Sequence, residues 1–170
     1  CQKAPLQPPA QPAPTSAPGG LVLHMRLVKS LATLSRPLQF EAGLDNTGSE
    51  PVWVDTRGGP ATTPPETRPG VVQGVVRLVR VTNVRTGVDV PFQSSDPSWK
   101  PLARAHVLRL EPRHSFQYLF SLDPAACGLK RAGEYRFTFQ YNPPQARPVD
   151  AREIALSPQT PTAQLVVPIK

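Results

Sequence analysis

Apolar residues recur at every second position in several short segments of the chain, and that period marks a strand with one face buried and one face wet. In LVLHMRLV, Leu21, Leu23, Met25 and Leu27 fall on one face, His24 and Arg26 on the other. In PLQFEAGL, Leu38, Phe40, Ala42 and Leu44 alternate with Gln39, Glu41 and Gly43. SFQYLFSL aligns Phe116, Tyr118, Phe120 and Leu122. EYRFTFQY is the cleanest case: Tyr135, Phe137, Phe139 and Tyr141 face one way, and Glu134, Arg136, Thr138 and Gln140 are expected to face solvent. VVRLVRV (75–81), HVLRL (106–110) and AQLVVPI read as further strands. VWV follows the turn formers DNTGSEP, and Trp53 is opposite in phase to Val52 and Val54. Apolar residues on both faces predict a strand that is buried or covered on both sides.

Between these segments stand turn signals. VRTGVDVPF predicts a hairpin with its turn at Thr86-Gly87, and DPAACGLKRAG predicts one helical turn. Two stretches lack any period, RGGPATTPPETRPG (57–70) and residues 93–105, and both are expected to be long loops. No segment has the helical period, and the 23 prolines weigh against helices because proline lacks the N–H and clashes within them. Seven to nine short strands joined in this way predict an all-β chain, an immunoglobulin-like antiparallel β-sandwich over residues 21–170. Residues 1–20 are predicted to be a disordered tether, extended by Pro5, Pro8, Pro9, Pro12, Pro14 and Pro18.

Three segments resemble bacterial immunoglobulin-like sandwich domains: FEAGLDNTGSEPVWV (40–54), LRLEPRHSFQYLFSL (108–122) and LKRAGEYRFTFQY (129–141). Similar layouts occur in the intracellular proteinase-inhibitor family and in the prodomains of some fungal metalloproteases. The resemblance covers 40–141 and implies a fold. Its motifs are structural and carry no catalytic residue. The chain departs from the pattern at Arg113-His114, where such domains carry a glycine and an acid. Tyr135 is similar in position to the tyrosine corner of these folds, which implies a hydroxyl bonded to nearby backbone.

The cysteines are Cys1 and Cys127. One reading joins them in a disulfide, which an oxidising compartment permits. The other separates them. CQKAPLQPPAQPAPTSAPGG resembles the start of a mature bacterial lipoprotein, in which the terminal Cys carries acyl chains on sulfur and nitrogen. Cys1 is then the lipidation site, two or more chains hold the membrane firmly, and the proline-rich segment is a spacer. In that family an Asp after the Cys marks inner-membrane retention. Gln2 stands there instead, which points to the outer membrane, facing the periplasm or the surface. Cys127 reads as a small buried hydrophobe.

The net charge is +7, but the arginines are scattered and no basic run interleaves with aromatics, so nucleic acid is not expected as a partner. His24, His106 and His114 lie outside ligand spacing of one another, and no metal, cofactor or nucleophile motif is present. Neither catalytic residues, a cofactor nor a small-molecule substrate is expected. The expected work is binding or scaffolding of an envelope protein, through loops held by the sandwich. The candidate binding residues are Arg57 and Arg68 in the first loop and Trp99 and Lys100 in the second, since a tryptophan beside a cation is a frequent anchor. The alternative for Trp99 is a lid on the core. Two other functions stay open: a protease-inhibitor-like domain acting through loop 57–70, and an enzyme built on His106 or His114 with an acid.

Overall fold

The computed structural model describes residues 20–29, 31–63 and 68–170. The tether and Cys1 lie outside the described residues, apart from Gly20. The strands are β1 (Leu21–Leu27), β2 (Leu38–Asn46), β3 (Val52–Asp55), β4 (Ala61–Thr62), β5 (Val71–Val72), β6 (Val76–Asn83), β7 (Ser94–Ser95), β8 (Val107–Leu110), β9 (Ser115–Leu122), β10 (Gly133–Tyr141) and β11 (Thr162–Ile169). A single 3-10 turn spans Arg104–His106.

The long strands form two antiparallel sheets, ordered β1-β2-β9 and β11-β10-β6. Of these six strands taken in chain order, the first, second and fourth face the third, fifth and sixth across the core of a β-sandwich. The β2–β9 ladder runs from Leu38↔Leu122 to Asp45↔Ser115, and β3–β8 resumes it at Val52↔Leu110. Asn46 bridges the break. It is fully buried, and its Nδ2 donates to the carbonyls of Glu50 at 2.8 Å and Leu110 at 3.0 Å. The turn formers at 45–51 therefore bend one ladder rather than separate two.

The inward residues are those the alternation assigns. Phe40 of one sheet meets Phe137 and Phe139 of the other at centroid distances of 5.4 and 5.2 Å. Leu21, Leu23, Leu44, Tyr118, Leu122 and Tyr135 fill the same core. At one edge the sheets are joined, where Lys170 donates to the carbonyl of Ala32 and accepts from Leu34. The Tyr135 hydroxyl donates to the carbonyl of Arg131 at 2.9 Å, the tyrosine-corner bond.

Two expectations are corrected. Thr138 is buried, not exposed. It lies on the central strand between Arg80 and Gln164, whose longer side chains shade it, beside a register shift at Thr138/Phe139. That shift is a bulge on β6, which leaves Leu78 and Val81 both inward and Val79 outward. The Gln73 side chain satisfies the bulged strand, accepting from Leu78 N–H and donating to Leu78 C=O, each at 2.9 Å. Second, the stretches 57–70 and 93–105 are not wholly irregular. β4 and β5 pair as a hairpin, β7 lies parallel to β5, and a 3-10 turn interrupts the second stretch. Residues 142–161, for which the alternation makes no prediction, form a connection without strands.

That connection explains VWV. The outer face of Trp53 packs on a small second core of Leu102, Val107, Ala151, Ile154 and Leu156. Ser157 N–H donates to the Trp53 carbonyl at 2.9 Å. The strand is covered on both sides by its own chain.

Candidate binding surface around Arg57 and Trp99

β3 ends at Asp55, which is completely buried. The preceding Val54 must point into the core, and alternation then turns Asp55 away from it. Two tyrosines hold the Asp55 backbone. Its N–H donates to the Tyr141 hydroxyl at 2.8 Å, and its carbonyl accepts from the Tyr118 hydroxyl at 2.6 Å. Both hydroxyls are thus committed, and burial pushes both phenols well above their ordinary titration range.

The Asp55 carboxylate turns the chain. Its Oδ1 accepts from Arg57 N–H at 2.9 Å, an Asx turn, and its two oxygens accept from Arg57 Nε and Nη2 at distances down to 2.6 Å. A buried carboxylate needs such a partner, and the planar guanidinium satisfies it in a fork. Arg57 is itself only 11% exposed at its side chain. Its remaining donor, Nη1, reaches the Lys100 carbonyl at 2.9 Å, and the guanidinium lies 4.7 Å from the centroid of Trp99. One cation therefore links the end of β3 to the segment between β7 and the 3-10 turn.

The candidate residues separate accordingly. The structure brings together Arg57, Trp99 and Lys100. Trp99 is half-buried and packs against the main core with one ring face under Arg57, and Lys100 is exposed. Arg68 is exposed on the β4–β5 hairpin, where its carbonyl accepts from Thr63 Oγ1 at 3.0 Å, and no bond among the described residues joins it to this cluster. Asp55, Tyr118 and Tyr141 complete the cluster. The sequence singles out the tyrosines only as core. The signal for Asp55 is an acid two residues before Arg57, directly ahead of a Gly-Gly turn.

The histidines are placed apart. His106 and His114 are exposed, and His114 Nδ1 lies 3.1 Å from its neighbour's Pro112 carbonyl. His24 lies 3.2 Å from Asp45 across β1 and β2, flat against Gly43, where any Cβ would overlap its ring. Among the described residues no group of three or more His, Cys, Asp and Glu is placed to hold a metal. Cys127 is buried in the turn after Asp123 with a free thiol, and burial first, then Asp123, pushes that thiol up to about 12.

The fold and this cluster define an all-β sandwich domain carrying an arginine-clamped tryptophan on its flank. Neither a family model, a curated protein nor a solved structure matches the chain.

Proposed function

We propose that this protein is a non-enzymatic cell-envelope lipoprotein whose sandwich domain binds or scaffolds an envelope protein. Cys1 carries the lipid, residues 1–20 are the tether, and the outer membrane is the site of anchorage. The Cys followed by six prolines and then a strand at Leu21 supports the anchor and spacer. The Arg57–Trp99 contact carries the binding reading. A tryptophan already held in one orientation loses little freedom when a partner covers its exposed part, and exposed Lys100 beside it supplies a charged rim.

Two measurements test this. Cys1→Ser moves the protein from the membrane fraction to the soluble fraction with an unchanged circular dichroism spectrum; a Ser variant that stays on the membrane removes the anchor. Trp99→Ala loses partner pull-down from native membranes with an unchanged melt. A melt lowered by many degrees makes Trp99 a core lid and removes it from the binding surface.

A further inference from the structure

β1 starts beside Gly20, and the registers place Asn46, Ser115, Tyr141 and Thr162 at that same end of the sandwich. The opposite end is formed by residues 28–29, 31–37, 84–88 and 123–132 together with Lys170. Strand pairing requires this: Leu27↔Phe40, Leu38↔Leu122, Gly133↔Ile169 and Tyr135↔Asn83 all lie at that end. Hydrogen bonds from Val84 N–H to the Glu134 carbonyl and from Lys170 N–H to the Ala32 carbonyl close it into one surface.

This far end is basic. Lys29, Arg36, Arg85, Lys130, Arg131 and Lys170 are all exposed there. The acids at the same end are Asp89, Asp123 and Glu134. Asp89 accepts from the Thr82 hydroxyl at 2.7 Å and Asp123 from Ala125 N–H at 2.9 Å, bonds that leave both charged, so six cations face three acids and the end stays net positive. Among the described residues none of the six cations forms an ion pair; the pairs are His24–Asp45, Arg26–Glu41, Arg57–Asp55, Arg77–Asp96 and Arg109–Glu111. Exposed apolar side chains stand between them: Val28 at 46%, Leu31 at 61% and Val88 at 63%. Lys29 and Arg36 also flank an open depression of about 820 Å³ with Leu31 and Pro37 on its wall.

We propose that the end of the sandwich opposite Gly20 docks an acidic protein surface that also presents apolar side chains. Charge complementarity selects the sign of the partner and steers its approach. The exposed Val28, Leu31 and Val88 select its class. They offer contact area to apolar side chains and nothing to a polyanionic glycan. Residues 28–37, 84–88 and 123–132 contain no aromatic side chain on which a nucleic-acid base would stack. The inference rests on the reading of this domain as a protein-binding module and is independent of Trp99 and of the lipid.

Isotope-labelled full-length protein is titrated, by amide NMR, with a synthetic peptide alternating Glu and Leu, with polyglutamate and with heparin. The expected result is amide shifts confined to 28–37, 84–88, 123–134 and Lys170, with tighter binding of the Glu/Leu peptide than of polyglutamate or heparin. Lys130→Glu combined with Arg131→Glu weakens that binding about tenfold or more by placing like charges across the contact, with an unchanged melt. Tightest binding of heparin overturns the protein partner. Absence of shifts with both peptides overturns the surface. Shifts at Trp99 and Lys100 instead also overturn it while leaving the binding-module reading standing, and that reading fails separately through the Trp99→Ala pull-down.

Discussion

Arg57 is clamped between Asp55 and Trp99: its Nη2 donates to the Asp55 carboxylate at 2.6 Å while its guanidinium lies 4.7 Å from the Trp99 ring centroid. The pair sits where β3 ends, largely removed from solvent, and each nitrogen of the guanidinium has an acceptor. The chain's other tryptophan is covered in the same way. Arg104 lies 4.9 Å from the centroid of Trp53, and its N–H donates to Asp150 Oδ1 at 2.7 Å.

Removing one partner of the buried pair leaves the other charge stranded. Asp55→Ala is expected to destabilise the fold by about 3–5 kcal/mol in urea unfolding. Tyr118→Phe removes one hydroxyl and leaves a buried carbonyl short of a donor, for about 1–3 kcal/mol. An Asp55→Ala protein as stable as wild type would show that the pair contributes nothing net.

Phe137 touches Phe40 across the sheets, and its neighbour Arg136 is exposed on the outer face. Phe137→Ala is expected to cost about 3–5 kcal/mol, and Arg136→Ala less than about 0.5 kcal/mol. Equal losses in chemical denaturation would contradict the inward facing of Phe137.

Three buried groups are expected to contribute to the loss of stability at alkaline pH. Cys127 is raised from 9.0 to about 12, and Tyr118 and Tyr141 are raised above 10.0. Raised values mean that the folded chain holds its protons where the unfolded chain releases them. The stability linked to them is complete below the unfolded values and declines as pH rises from about 9 toward the folded values. Native Cys127 is therefore expected to resist a thiol reagent at neutral pH and to react only on unfolding. Cys127→Ala shifts the onset of alkaline unfolding upward if its cavity cost is offset against the neutral-pH baseline. Rapid labelling of the native thiol would sink this account.

Arg113 adopts φ 64, the left-handed region that favours glycine, in the turn between β8 and β9. Its N–H donates to the Asn46 carbonyl at 2.7 Å, which fixes that conformation. Arg113→Gly is expected to stabilise by about 0.5–1 kcal/mol, since relief of about 1–2 kcal/mol of strain exceeds the entropy that glycine loses. A lower melt for the glycine variant would assign the guanidinium a stabilising contact that outweighs the strain.

Alternation by itself determined most of the core. Phe40, Tyr118, Tyr135, Phe137, Phe139 and Tyr141 point inward because a strand presents successive side chains to opposite faces, and that rule is local. Local turn chemistry marked the turns at 45–51 and 84–88, and the resemblance to sandwich folds pointed to the Tyr135 hydroxyl bond. Tertiary structure alone decided the rest. Ala61–Thr62, Val71–Val72 and Ser94–Ser95 are too short to show a period, and they are strands only because distant chain lies beside them. Thr138 is buried against its expected exposure beside a bulge, whose position depends on two strands together. Trp53 is covered by residues 151–156, and Trp99 by Arg57, through contacts that no spacing encodes. Asp55 is buried because the fold delivers Tyr118, Tyr141 and Arg57 to it at once. Burial of a charge is decided by everything around it, and a residue's sequence neighbours supply only part of that surrounding.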